Sequence, residues 1–102
     1  MSTLKTRITD AVKAAMRAGD KPRLGTLRMI SAAIKQKEVD ERRELDDADV
    51  LVILDKMVKQ RRESVEQYES AGRDELAAAE HAEIAILGEF LPQPLTDAEI
   101  DT

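Results

Sequence analysis

Residues 54–90 read LDKMVKQRRESVEQYESAGRDELAAAEHAEIAILGEF, and this stretch decides the fold. Leu54, Met57, Val58, Val65 and Tyr68 recur at helical spacing, as do Leu76, Ala79, Ile86, Leu87 and Phe90. Gly72 falls between the two runs and suits a turn that needs a left-handed residue. One charge interrupts each apolar stripe. Arg61 lies eleven residues before Gly72 and Glu83 eleven after it. In an antiparallel hairpin about Gly72, facing positions have numbers that sum to about 144. Tyr68 then faces Leu76, Val65 faces Ala79, Met57 faces Leu87, Leu54 faces Phe90, and Arg61 meets Glu83. An Arg in an apolar stripe is tolerable only with a partner. A buried pair of this kind would fix the register of two helices, and removing one member would cost about 3–5 kcal/mol. The expectation is a structural ion pair. A polar site inside the bundle is the functional alternative, and an Arg61 that reaches water past Ala79 is the third reading.

Working outward, the long helix of this hairpin is expected over about Asp47–Ala71, with Asp46 as its cap and Asp47 and Asp49 in its first turn, where the macrodipole favours negative charge. The shorter helix is expected over about Asp74–Phe90. Upstream, Leu4, Ile8, Ala11, Val12 and Ala15 place a helix over about Ser2–Ala18, which Gly19 stops. Asp20 caps the next helix and Pro22 sits in its first turn. It is expected to run over about Lys21–Val39, with Leu24, Leu27, Ile30, Ser31 and Ile34 as the main stripe. Met29 and Ala33 lie on a second side, so more than one neighbour should contact this helix. Residues 40–46 lack apolar periodicity and read as a charged surface connector. The fold class is therefore all-α, a four-helix antiparallel bundle over residues 1–91.

Leu91-Pro92-Gln93-Pro94-Leu95 breaks the last helix. Thr96-x-x-Glu99 is then a capping box, with Leu95 placed to staple Ile100. Residues 92–102 are expected to be a Pro-containing linker followed by the first turn of a second helical unit that the chain does not complete.

The composition excludes several chemistries. The chain of 102 residues has no Cys, hence no disulfide, thiolate metal site or Cys nucleophile. Its single His, His81, points away from the apolar stripe of its helix and has no second ligand at metal-binding spacing. Ser31 and Ser64 have no base placed to activate them. Asp46, Asp47 and Asp49 lack the glycine and spacing of a calcium loop. No cofactor, metal or catalytic residue is expected. No apolar run approaches the roughly 18 residues that span a bilayer, so no membrane partner is expected. The start of the chain shows no apolar h-region, and the expectation is a cytoplasmic protein.

Charge is unevenly placed. Residues 1–37 hold nine Lys or Arg against two Asp, a balance of +7, whereas residues 38–102 hold seven against nineteen, a balance of −12. Lys13 and Arg17 share the outer face of the first helix, and Arg28 and Lys35 share a flank of the second. These four are the candidate nucleic-acid contacts, able to follow a phosphate backbone. One Tyr, one Phe and no Trp leave little for base stacking.

Several segments together resemble the YqeY family. They are Arg28-Met29-x-x-Ala32-Ala33-Ile34-Lys35, Gln60-Arg61-Arg62-Glu63-Ser64, Ala71-Gly72-Arg73, Ala82-Glu83-Ile84 and Phe90-Leu91-Pro92-x-x-Leu95. The resemblance covers nearly the whole chain, in order. It implies two helical bundles, of which this chain supplies the first. It also implies kinship with the C-terminal region of the B subunit (GatB) of the tRNA-dependent amidotransferase, a carbon–nitrogen ligase with glutamine as amido donor. In that subunit the tail region contacts tRNA and carries no catalytic chemistry, so the resemblance assigns no catalytic residue here. The expected partners are tRNA or an amidotransferase or aminoacyl-tRNA complex. The alternative is a protein–protein adaptor docking through Met29, Ala33 and Ile84.

Overall fold

The computed structural model describes residues 3–92 as four helices: α1 (Thr3–Ala18), α2 (Lys21–Glu41), α3 (Asp47–Ser70) and α4 (Asp74–Gly88). No strand occurs among the described residues. α1 packs chiefly on α2 and α3 chiefly on α4, and α2 also touches both α3 and α4. α1 also touches α3, so the bundle is two hairpins joined through α2 and α3, each of which meets all three other helices, and this is why α2 has more than one apolar side. Thr96, Glu99 and the expected second helical unit lie outside the described residues.

Local chemistry explains the boundaries. Gly19 and Gly72 take φ of +69° and +72° and end α1 and α3 in the left-handed conformation. The Asp20 carboxylate accepts from the Arg23 N–H at 3.3 Å to cap α2. Asp46 and Asp49 form a reciprocal cap at the start of α3: Asp46 Oδ1 accepts from the Asp49 N–H at 3.0 Å, and Asp49 Oδ2 accepts from the Asp46 N–H at 3.1 Å. Asp47 Oδ1 takes the Leu4 N–H at 3.0 Å, so the start of α3 satisfies an orphan donor at the start of α1.

Leu27, Ile30, Val50, Leu54 and Leu87 are fully buried, joined by Ile8, Leu4, Ile34, Met57 and Val58. All four helices contribute to this aliphatic core. Thr26 is the buried polar side chain among the described residues, and its hydroxyl donates to the Pro22 carbonyl at 3.4 Å.

Three expectations need correction. α2 does not stop at Val39 but runs to Glu41, where Arg42, not a glycine, takes the left-handed cap at φ 57°. The 40–46 connector is not wholly a surface loop, because Leu45 within it is only 2% exposed. Glu38 Oε2 accepts the Leu45 N–H at 3.0 Å and so satisfies the backbone of that buried turn. Lastly, one position of the expected α4 stripe differs: Leu87 and Phe90 are buried as expected, but Ala77 rather than Ala79 turns inward. Ala77 and Leu87 are its buried positions, and Ala79 is exposed. A run of alanines carries apolar character on every side, so periodicity alone does not fix which side turns inward.

Candidate functional site

Arg61 stands at the seam of α3 and α4, where its Nε donates to Glu83 Oε1 at 2.9 Å. Its Nη1 donates to the Met57 carbonyl at 3.3 Å, and its Nη2 lies 3.5 Å from Met29 Sδ on α2. One guanidinium therefore touches three helices. The pair is half-buried, not buried: the two side chains are 15% and 27% exposed. Partial hydration lowers the desolvation cost of both charges and also the penalty of separating them, so the 3–5 kcal/mol expected for a buried pair is too large. The two groups hold each other across the seam of α3 and α4.

A second tie, not foreseen from the sequence, holds the end of α4. Arg23 at the start of α2 grips Glu89 through two hydrogen bonds of 2.7 Å each. Arg7 of α1 donates to the Glu89 carbonyl at 3.0 Å and places its guanidinium 5.4 Å from the Phe90 ring centroid. The Arg23 hydrogen bond holds the Glu89 carboxyl below its usual range, and Glu89 in turn raises Arg23. The sequence did carry a signal. A carboxylate at a helix C-terminus opposes the macrodipole and needs a cation to answer it.

A third tie joins α1 to α2. Lys5 Nζ meets Glu38 Oε2 at 2.6 Å. The Lys5 hydrogen bond, then that of the Leu45 N–H, holds the Glu38 carboxyl down, and the same bond to Glu38 raises Lys5. Arg43 bridges Glu41 and Asp49 across the connector, at 2.8 Å to each, and holds the Asp49 carboxyl far below the usual carboxylate range.

The four basic candidates are all exposed. Lys35 lines a cleft of about 280 Å³ between α1 and α2, together with Lys5, Thr9, Ser31 and Glu38. Arg28 reaches across the same seam, with Nη2 3.6 Å from Met16 Sδ. Lys13 and Arg17 lie one turn apart on α1, outside that cleft. His81 is exposed, with Nε2 3.8 Å from Glu69 Oε2. Among the described residues no group of three or more His, Cys, Asp and Glu side chains is placed to hold a metal ion, and no helix is long and apolar enough to cross a membrane. Met29 is 39% exposed, whereas Ala33 and Ile84 pack partly against the core.

A four-helix bundle whose charged side chains tie helix to helix is an all-α helical module. The chain belongs to the Yqey-like protein family, whose model matches residues 5–102. It is similar to Altered inheritance of mitochondria protein 41, mitochondrial, of Eremothecium gossypii, with 37% identity over 90 residues, 86% of this chain and 49% of that protein. The protein of the same name from Lachancea thermotolerans is 36% identical over 93 residues, 88% of this chain and 50% of that protein. An uncharacterized protein of Schizosaccharomyces pombe is 32% identical over 78 residues, 76% of this chain and 63% of that protein. The chain spans about half the length of the first two relatives. These names overturn the expectation of a cytoplasmic protein, since both of the first two relatives are named as mitochondrial. The physical reason is plain. A mitochondrial transit segment is amphipathic and Arg-rich, so the lack of an apolar h-region does not argue against it.

Proposed function

We propose that this chain is a non-catalytic YqeY-type helical module that serves tRNA or tRNA-dependent amidation, and that it contacts tRNA phosphates through the α1–α2 hairpin. The observation that carries this reading is the exposure of Lys13, Arg17, Arg28 and Lys35 on the one hairpin whose charge balance is positive. At roughly 100° per residue, Lys13 and Arg17 lie about 40° apart on α1, both to one side of Met16, the residue that Arg28 touches. Arg28 and Lys35 stand at the α1–α2 seam, and Lys13 and Arg17 extend the positive surface along α1, which suits a phosphate backbone. The family resemblance to the amidotransferase B subunit tail supports the same reading, because that tail contacts tRNA without doing chemistry. The charged groups engaged in the ties among Arg61, Glu83, Arg23, Glu89, Lys5 and Glu38 are consistent with a scaffold role.

The test is a gel shift with unfractionated tRNA at about 50 mM salt, where phosphate contacts are strongest. The wild type shifts tRNA, and a Lys13→Glu/Arg17→Glu/Arg28→Glu/Lys35→Glu variant does not. Absence of any shift by the wild type would sink the reading and favour a protein adaptor.

A further inference from the structure

α2 and α3 do not close on each other along their whole length. Between them runs a cleft of about 370 Å³. Its floor is apolar, with Ala33 from α2 and Ile53 and Met57 from α3. Its rim carries Lys37 and Lys56, and among the described residues no carboxylate lines it. Val52 stands at its lip, 64% exposed, and Met29, one turn before Ala33 on α2, is 39% exposed. The small side chain at Ala33 explains the opening, since helix–helix contact distance follows the side chains at the crossing. Lys37 also bridges Glu41 at 3.1 Å, but this is an exposed i,i+4 pair of the kind that contributes little and exchanges partners readily.

An apolar trough with a rim of one sign is unusual in a chain of net charge −5. A polyanion has no use for the apolar floor, and an uncharged apolar helix leaves the lysines unanswered. We propose that the α2–α3 cleft docks an acidic amphipathic helix from a protein partner. Apolar side chains at i, i+3 or i+4, and i+7 of that helix enter between Ala33 and Val52, and flanking Asp or Glu meet Lys37 and Lys56. Val52 to Gln60, the stretch of α3 that lines the cleft, spans about 12 Å of helix, so two to three turns of the partner are engaged. The inference stands apart from the tRNA reading, because it uses a different seam and none of the four cations assigned there.

The test titrates isotope-labelled protein with a synthetic helix of about 16 residues, Leu at the docking positions and Glu on both flanks, followed by NMR at about 50 mM salt. A second peptide has every Glu replaced by Lys. The expected result is amide shifts confined to residues 29–37 and 52–60, with the Lys peptide bound at least about tenfold more weakly. A Lys37→Glu/Lys56→Glu variant, altered only at exposed positions, weakens the acidic peptide about tenfold. Ala33→Leu, which fills the floor without changing charge, weakens it as much, with helicity and melting temperature checked for both variants. Equal affinity for the two peptides, shifts centred on another seam, or unchanged affinity in both variants overturns the proposal. Self-association of the chain through the same residues, detected by sedimentation, also overturns it by identifying a second copy as the occupant.

Discussion

Glu83→Leu removes the carboxylate that Arg61 Nε meets at 2.9 Å, yet leaves the guanidinium in contact with the Met57 carbonyl and Met29 Sδ. Exposed ion pairs contribute about 0.2–1 kcal/mol. Breaking a buried one costs about 3–5 kcal/mol. With Arg61 15% and Glu83 27% exposed, the pair falls between these limits. Glu83→Leu should therefore destabilise the wild type by about 2 kcal/mol, because Arg61 is left half-buried with one charged partner fewer. In an Arg61→Leu background the same change should cost about 0.5 kcal/mol or less, since no cation remains to be stranded. The coupling is then about 1.5 kcal/mol. Urea unfolding of the four proteins gives it directly, with equal m values confirming that the denatured state is unchanged. Distant, independent sites add within about 0.3–0.5 kcal/mol, so a coupling inside that range would refute the view that this pair sets the α3–α4 register.

Leu27→Ala removes a side chain with 0% exposure at the centre of the core and should cost about 2–5 kcal/mol by the same unfolding assay; a loss below 1 kcal/mol would contradict its central placement. Gly72→Ala should cost about 1 kcal/mol, all of it backbone strain, because φ is +72° and an added Cβ would meet nothing within 4 Å. The Glu38, Asp49 and Glu89 carboxyls are all held below their usual range by cations. Each therefore contributes stability that is present above its unfolded value near pH 4 and is lost as pH falls through its lower folded value. The melting temperature should be flat with respect to these groups from pH 6 to 8 and fall steadily below about pH 4; an unchanged value between pH 6 and pH 2.5 would contradict these ties.

The bundle was legible because its apolar residues recur with helical period and because Gly19, Asp20, Asp46 and Gly72 mark the helix ends chemically. The meeting of Arg61 and Glu83 was legible for a different reason: a charge in an apolar stripe demands a partner, and the turn at Gly72 says where to look. Other features were hidden. α4 has so many alanines that its period did not single out Ala77, rather than Ala79, as the buried one. The buried Leu45 was masked by its charged neighbours, because a single apolar residue in a connector has no period to reveal it. Ties such as Lys5 to Glu38 join residues 33 positions apart with no stripe to align them, so only the packed hairpin shows them. The half-buried state of the central pair is likewise a property of three helices meeting at Met29, Arg61 and Glu83, which one hairpin alone does not contain.

Whether the α1–α2 hairpin reads phosphate is decided by the salt dependence of tRNA binding. Each phosphate contact contributes roughly 0.7–0.9 to the slope of log affinity against log salt. If Lys13, Arg17, Arg28 and Lys35 each meet a phosphate, the wild-type slope should be about −3, and each single Glu substitution should flatten it by about one unit or slightly less. A wild-type slope near zero, or a slope that the four substitutions leave unchanged, would contradict the account.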